Sequence, residues 1–146
     1  MLSLTGCLHK TEPYELTSDR IVYVSYSCAS VTDGESFSFT IYETEDGVKF
    51  TAWCPSGWDD IVISGASVTT EDMDRLRGIA EEYDISGFMW ACEPRELTEF
   101  TYNETLYDFR VMWDNGEERE TDTAWLASDA VREFFFDLAE RTYRGE

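Results

Sequence analysis

Apolar and polar residues alternate with a period of two along the first half of the chain, which is the pattern of strands with one buried face. Three such stretches, separated by the turn pairs Asp33-Gly34 and Asp46-Gly47, cover residues 20–31, 36–41 and 48–54. Pro55 and Gly57 interrupt the alternation before a further short strand over 61–68. This half of the chain therefore predicts an antiparallel meander.

After Val68 the apolar spacing changes to three and four residues, which indicates helices. One helix, capped by Thr69 or Thr70, has an apolar stripe of Met73, Leu76, Ala80 and Tyr83. A last helix, capped by Ser128, has a stripe of Val131, Phe134, Phe135, Leu138 and Ala139. Between the helices, alternation over 106–113 and 117–123 around Asp114-Asn115-Gly116 predicts a hairpin.

The apolar segment 85–92 shows no clear period, and we predict a buried strand or a packed loop there. Together the elements predict one α+β domain over residues 1–146, with an antiparallel sheet of about five to seven strands in a meander and two α-helices packed on one face. Residues 1–19 are expected to form an N-terminal arm or an edge strand. Because 42% of the residues are apolar and 15% aromatic, the chain can bury a core, and a disordered acidic tail is excluded.

Charge changes this picture, because 31 acidic residues against 11 basic ones give the 146-residue chain a net charge of −20. Of that charge, −13 follows Val68. Such a body repels a nucleic-acid duplex, so direct nucleic-acid binding is excluded. The longest apolar run, 88–92, is far shorter than the roughly 18 residues of a membrane span, so none is expected. Nine of the basic residues are arginine, which suits forked pairing with carboxylates.

Few residues offer catalytic or metal chemistry. His9 is the single histidine, and although Cys7 lies two residues from it, no two cysteines are spaced closely enough for a zinc motif. Cys28 and Cys54, on strands expected to be neighbours, either pair in an oxidising compartment or stay buried as free thiols. Carboxylates are too abundant for any pair to mark a glycosidase, and Asp114-Asn115-Gly116 places glycine too early for a calcium loop. We therefore expect a non-enzyme with no catalytic residue, no metal and no cofactor.

The acidic residues themselves cluster. Glu118, Glu120 and Asp122 alternate on one predicted strand, so their side chains share a face about 6.8 Å apart; we call them the strand row, and Glu117 precedes it. The helix row follows one side of the last helix at spacings of three and four and consists of Asp129, Glu133, Asp137 and Glu140. A first-turn patch contains Glu71, Asp72 and Asp74.

Two interpretations of these clusters stay open: solvated faces with an edge strand charged against pairing, or a surface that binds a basic partner. A DNA duplex carries 20 charges over about 34 Å, and a globule of this length is about 38 Å across, so the charge per length is similar. This favours a binding module for the basic surface of a nucleic-acid-binding protein. Edge strands and exposed aromatic residues leave a homodimer equally open.

Leu4-Thr5-Gly6-Cys7 resembles the lipobox of bacterial lipoproteins, and the general plan is similar to small bacterial lipoprotein-like domains. Since only Met1 to Gly6 precede Cys7, this resemblance implies an upstream start that encodes a signal segment, and an envelope protein anchored through Cys7 with an unknown ligand. In size and charge the chain also resembles small acidic phage-encoded inhibitors, including DNA mimics and anti-CRISPR proteins. That second resemblance implies a cytoplasmic inhibitor.

Overall fold

The computed structural model describes residues 20–30, 36–56, 59–91, 105–121 and 128–146. Six strands and three helices lie in these ranges. In chain order they are β1 (Ile21–Ser30), β2 (Ser36–Thr44), β3 (Gly47–Ser56), β4 (Asp59–Val68), α1 (Thr70–Glu82), α2 (Ile85–Ala91), β5 (Thr105–Trp113), β6 (Glu118–Thr121) and α3 (Ser128–Arg144). The predicted arm or edge strand over 1–19 lies outside the described residues.

The strands form one antiparallel sheet with the order β4-β3-β2-β1-β5-β6. The predicted meander is confirmed for β1 to β4, each of which pairs with the next strand along the chain. The chain then passes through α1 and α2 before β5 pairs with the other side of β1. Among the described strands, β1 is therefore central, while β4 and β6 form the two edges.

One face of the sheet carries the core. Phe39 of β2 and Phe50 of β3 are fully buried, and the ring of Phe135 from α3 stacks on both, with centroids 5.2 and 6.2 Å away. Phe136 meets Phe39 edge to face at 5.0 Å. Such aromatic pairs add to the free energy gained from burying their apolar area, so α3 is fixed firmly on the sheet.

The predicted α+β class, with helices on one face of the sheet, is confirmed, and α2 is an additional short helix on the same face. The helix α2 replaces the buried strand or packed loop that the sequence predicts over 85–92. The carboxylate of Asp84 accepts the N–H of Gly87 at 3.3 Å, and Ile85 and Met89, four residues apart, are both buried. Trp113 Nε1 donates to Ser86 Oγ at 2.9 Å and fixes the helix on β5. Seven residues make only two turns, too few for the period to show in the sequence.

The opposite side of the sheet, which we call the open face, has a different composition. Ser38 and Thr51 are exposed there, and Ser25 and Thr40 are half-buried. Register pairing aligns these residues across neighbouring strands, with Ser25 opposite Thr40 and Thr40 opposite Thr51. The middle of the open face therefore carries small polar side chains, as expected for an antiparallel sheet covered on one side. No helix in the described ranges is long and apolar enough to cross a membrane.

Candidate acidic binding surface

Arginines pair with carboxylates where α1 meets the sheet. Arg20 Nη2 donates to both carboxylate oxygens of Glu43, at 2.7 and 2.8 Å. Arg77 also donates to Glu43, and its Nε donates to the carbonyl oxygen of Ile21 at 2.9 Å. Burial alone raises the pKa of Glu43, but the hydrogen bonds and charges of the two arginines outweigh it and hold that pKa below its usual value. Glu43 is therefore an anchor for both arginines.

A second cluster joins α1 to α3 through Asp72. Thr69 caps α1: its Oγ1 accepts the N–H of Asp72 at 3.0 Å, and its own N–H donates to Asp72 Oδ2 at 3.1 Å. Arg141 Nη2 donates to Asp72 Oδ1 at 3.2 Å, and its Nε donates to Asp137 at 2.9 Å. Burial raises the pKa of Asp72, but the bonds from Thr69 and Arg141 prevail and lower it. With only 7% of Asp72 exposed, this residue belongs to the frame of the fold.

The other described arginines are engaged as well. The guanidinium of Arg119 lies 4.0 Å from the centroid of the Trp90 ring, and that of Arg132 lies 5.4 Å from Phe37. Arg75 stands over Phe134 at 5.5 Å. Arg110 Nε donates to Glu120 at 3.1 Å, and Arg144 pairs with Glu146 at 3.4 Å. Each of the eight arginines that the structure describes thus contacts a carboxylate or an aromatic ring.

The strand row lies at one edge of the sheet. Glu118 and Glu120 are in β6, where register places them opposite Met112 and Arg110. Glu120 is partly neutralised by Arg110, and Glu117, in the preceding turn, lies 4.0 Å from Arg119. Asp122 lies outside the described residues. The strand row therefore lies on a short acidic edge, where Arg110 pairs with Glu120 and Arg119 lies near Glu117.

The helix row lies elsewhere, because α3 packs beside β4 and α1, at the far end of the sheet from β6. Asp129, Glu133, Asp137 and Glu140 are all exposed. Arg75 and Arg141 each lie within 4.0 Å of both Asp72 and Asp137, so they connect the helix row to α1. The structure does not bring the helix row and the strand row together into one surface.

The first-turn patch is divided among three positions. Asp72 is buried, and Asp74 is exposed and pairs with Arg77 at 3.0 Å. Glu71 is exposed and lines a cleft of about 550 Å³ between α1 and α3, together with Glu146. Of the patch, only Glu71 therefore stands on the same side as the helix row with its carboxylate free of any described basic partner.

Two acidic residues that the sequence patterns do not single out, Asp59 and Asp60, lie on β4, the strand that α3 packs beside. They are exposed at the start of β4. Burial raises the pKa of the Cys54 thiol on the neighbouring strand, and the negative charges of Glu140 and Asp60 raise it further. Glu140 of α3 and Asp60 of β4 therefore both lie near enough to Cys54 to affect its thiol. We use the name α3–β4 acidic surface for the exposed carboxylates of α3 and of the start of β4 taken together, which are Asp59, Asp60, Glu133, Asp137 and Glu140.

The adjacent pair Asp59-Asp60 was a visible signal in the sequence, but only the packing of α3 beside β4 gives it neighbours. The expectation that Cys28 and Cys54 lie on neighbouring strands was wrong. Both are buried and free, and β2 lies between their strands, which separates the two backbones by about 9.6 Å and is too far for a disulfide. Within the described residues, no three His, Cys, Asp or Glu side chains converge to hold a metal ion.

No protein-family model, curated protein or solved structure matches the chain. Its class is therefore defined by its own fold and surface. It is an α+β domain in which helices cover one face of a six-stranded antiparallel sheet. The arginines that the structure describes contact carboxylates or aromatic rings within the fold, and acidic residues such as Asp60, Glu71 and Glu133 are exposed.

Proposed function

We propose that this protein is a non-enzymatic binding module whose carboxylates bind the basic surface of a nucleic-acid-binding protein and inhibit it. The observation that carries the proposal is the division of charge. Every described arginine is engaged within the fold, whereas Asp60, Glu71 and Glu133 are exposed with no basic partner among the described residues. Like charges so arranged are unfavourable in the isolated protein and are offset by lysines and arginines of a partner.

The α3–β4 acidic surface is the best-supported binding region. On α3, carboxylates recur every three or four residues, which spaces neighbouring Cβ atoms by about 5–6 Å. The Phe135 stack holds this helix rigidly on the sheet, so a partner does not have to order it on binding. A rigid row of negative charges supports competition with a nucleic-acid backbone for the same basic groups.

The test uses the full chain immobilised at low salt to capture proteins from a lysate, followed by a competition assay. We expect captured nucleic-acid-binding proteins to be released as salt rises from about 50 mM to about 500 mM, because screening weakens exposed charge pairs. The chain should then displace a fluorescent DNA duplex from the captured protein. Absence of any basic partner, or binding that ignores salt over this range, contradicts the proposal.

Charge reversal locates the surface. The triple variant Asp60→Lys, Glu133→Lys and Glu140→Lys should weaken displacement of the duplex about 10-fold or more. The matched control Asp46→Lys, Glu81→Lys and Glu82→Lys makes the same change in net charge at other exposed positions and should weaken it far less. Equal losses in the two variants would assign binding to overall charge and remove the α3–β4 acidic surface from the proposal.

The residues that resemble a lipobox, Leu4 to Cys7, lie outside the described residues. They bear only on where the protein is located. We propose a cytoplasmic protein, with an envelope protein anchored through Cys7 as the alternative. The DNA immediately upstream of Met1 distinguishes the two. A basic segment followed by an apolar run in frame supports the envelope.

A further inference from the structure

The two edges of the sheet differ in length and chemistry. In the described part of the chain, the edge strand β6 has four residues, two of them glutamates on the open face, which discourages further strand pairing. The other edge, β4, has ten residues and pairs with β3 on its inner side only, as far as the described strands extend. An edge of this length presents unpaired backbone N–H and C=O groups at alternate residues.

An exposed apolar pair marks the same edge. Val62 of β4 and Trp53 of β3 are directly opposite in register on the open face, and 65% and 40% of these residues are exposed. The regular edge ends shortly afterwards. Gly65, with a φ of +59°, donates its N–H to Thr51 Oγ1 at 3.0 Å, where the register between β3 and β4 shifts. The usable edge is therefore residues 59–64.

Charge selects what such an edge accepts. Asp60 shares the open face with Val62, and Asp59 precedes it, so one end of the edge is acidic and the middle is apolar. Glu140 of α3 adds its charge from the helix side, close enough to act on Cys54 together with Asp60. A strand that pairs here gains main-chain hydrogen bonds along its length and ion pairs at one end only.

We propose that residues 59–64 of β4 bind an extended basic segment of the partner, which adds to the sheet as a seventh, antiparallel strand. An apolar side chain of that segment lies beside Val62 and Trp53. Because the added strand is antiparallel, its lysines or arginines stand in its C-terminal half, opposite Asp59 and Asp60. The inference rests on the proposed function and deepens it by naming how the basic partner is held.

A second copy of this chain fits the edge poorly. The sequence of β4 contains no lysine or arginine, so β4 of a second copy offers no cation to Asp59 and Asp60. Two bodies of charge −20 also repel each other. The acidic end of β4 and the net negative charge of the molecule both favour a basic segment at this edge instead.

Three peptides of about eight residues, titrated by calorimetry into the full chain at about 50 mM salt, test the proposal. The forward peptide alternates valine and threonine in its N-terminal half and carries lysines in its C-terminal half. The reversed peptide has the same residues in opposite order, and the third is the forward peptide N-methylated at alternate residues. We expect the forward peptide to bind about 10-fold or more tightly than either control, because only it combines edge hydrogen bonds with correctly placed lysines.

A pair of variants checks the position. Asp60→Lys should weaken binding of the forward peptide about 10-fold, whereas Asp46→Lys, the same charge change at the opposite end of β3, should leave it almost unchanged. Circular dichroism of both variants checks that they fold. We expect both to fold, because both aspartates are exposed.

Equal binding of all three peptides overturns strand addition and leaves the proposed function standing, since charge alone then explains binding. If no peptide binds but a basic protein is still captured in a salt-dependent way, strand addition at β4 is likewise overturned. The proposed function then still stands. Concentration-dependent dimers in sedimentation that Val62→Asp abolishes would assign the edge to a second copy and overturn the proposal.

Discussion

Single carboxylates of the same sequence cluster have different roles in this protein. Glu71, Asp72 and Asp74 all lie near the start of α1, where negative charge suits the helix dipole. Only the structure shows that Asp72 completes a capping box and holds Arg141, that Asp74 pairs with Arg77, and that Glu71 faces the cleft. The difference depends on which side of the helix faces α3, and a local sequence pattern does not contain that information.

Replacing these two aspartates separates their roles. Asp72→Ala should lower the free energy of unfolding by about 1–3 kcal/mol, because it removes the side-chain half of the capping box and leaves part-buried donors of Thr69 and Arg141 without their acceptor. Asp74→Ala, in the same turn but largely exposed, should cost less than about 0.5 kcal/mol. Urea unfolding of both variants measures the difference, and equal costs would show that the capping box contributes nothing beyond charge.

At the scale of elements, the sequence predicts what local patterns encode. The strands are recognisable because buried residues of the covered face, such as Phe37, Phe39 and Ile41, alternate with polar residues of the open face. The helix α2 was not recognisable, since its burial is set by contact with Trp113 of a later strand. The central place of β1 is equally hidden, because pairing of β1 with β5 joins residues 75 to 92 positions apart without a local signal.

Two exposed glycines give opposite predictions at this scale. Gly65 has a φ of +59° at the irregularity in β4, so Gly65→Ala should destabilise the protein by about 1–2 kcal/mol through backbone strain. Gly78 lies within α1 with open space where a Cβ would stand, so Gly78→Ala should stabilise the protein by about 0.5–1 kcal/mol. Thermal unfolding checks both signs. A neutral Gly65→Ala would mean that the strand relaxes and that the regular edge extends beyond Ser64.

For the whole molecule, the acidic residues could be predicted from the sequence, but their grouping could not. The helix row was correctly placed on one side of α3, since helical spacing is local. How near the helix row lies to Asp60 depends on how α3 crosses the sheet. How far the helix row lies from the strand row depends on the strand order. Both are consequences of long-range pairing. The surplus of charge therefore predicts a partner, and the fold determines which carboxylates can face it together.

Acid should act on this molecule in two opposing ways. Protonation of exposed carboxylates relieves the repulsion within a body of charge −20, which favours folding. The pKa values of Glu43 and Asp72 are lowered in the folded state, so the stability that these groups contribute is complete above their ordinary values of 4.5 and 3.8. That contribution is lost as pH falls through the lower folded-state values, because the unfolded chain binds protons first.

A comparison of variants isolates the second effect at Glu43. Glu43→Gln, which cannot ionise, should be less stable than wild type at pH 7, and the gap should narrow as pH falls from about 5 to about 3. Glu82→Gln, at an exposed position of α1, should follow the wild-type curve across the same range. Urea unfolding at several pH values measures all three curves. A pH-independent difference in the free energy of unfolding between Glu43→Gln and wild type would contradict this. It would show that the charge of Glu43 beside Arg20 and Arg77 does not stabilise the fold, and that packing alone holds α1 on the sheet.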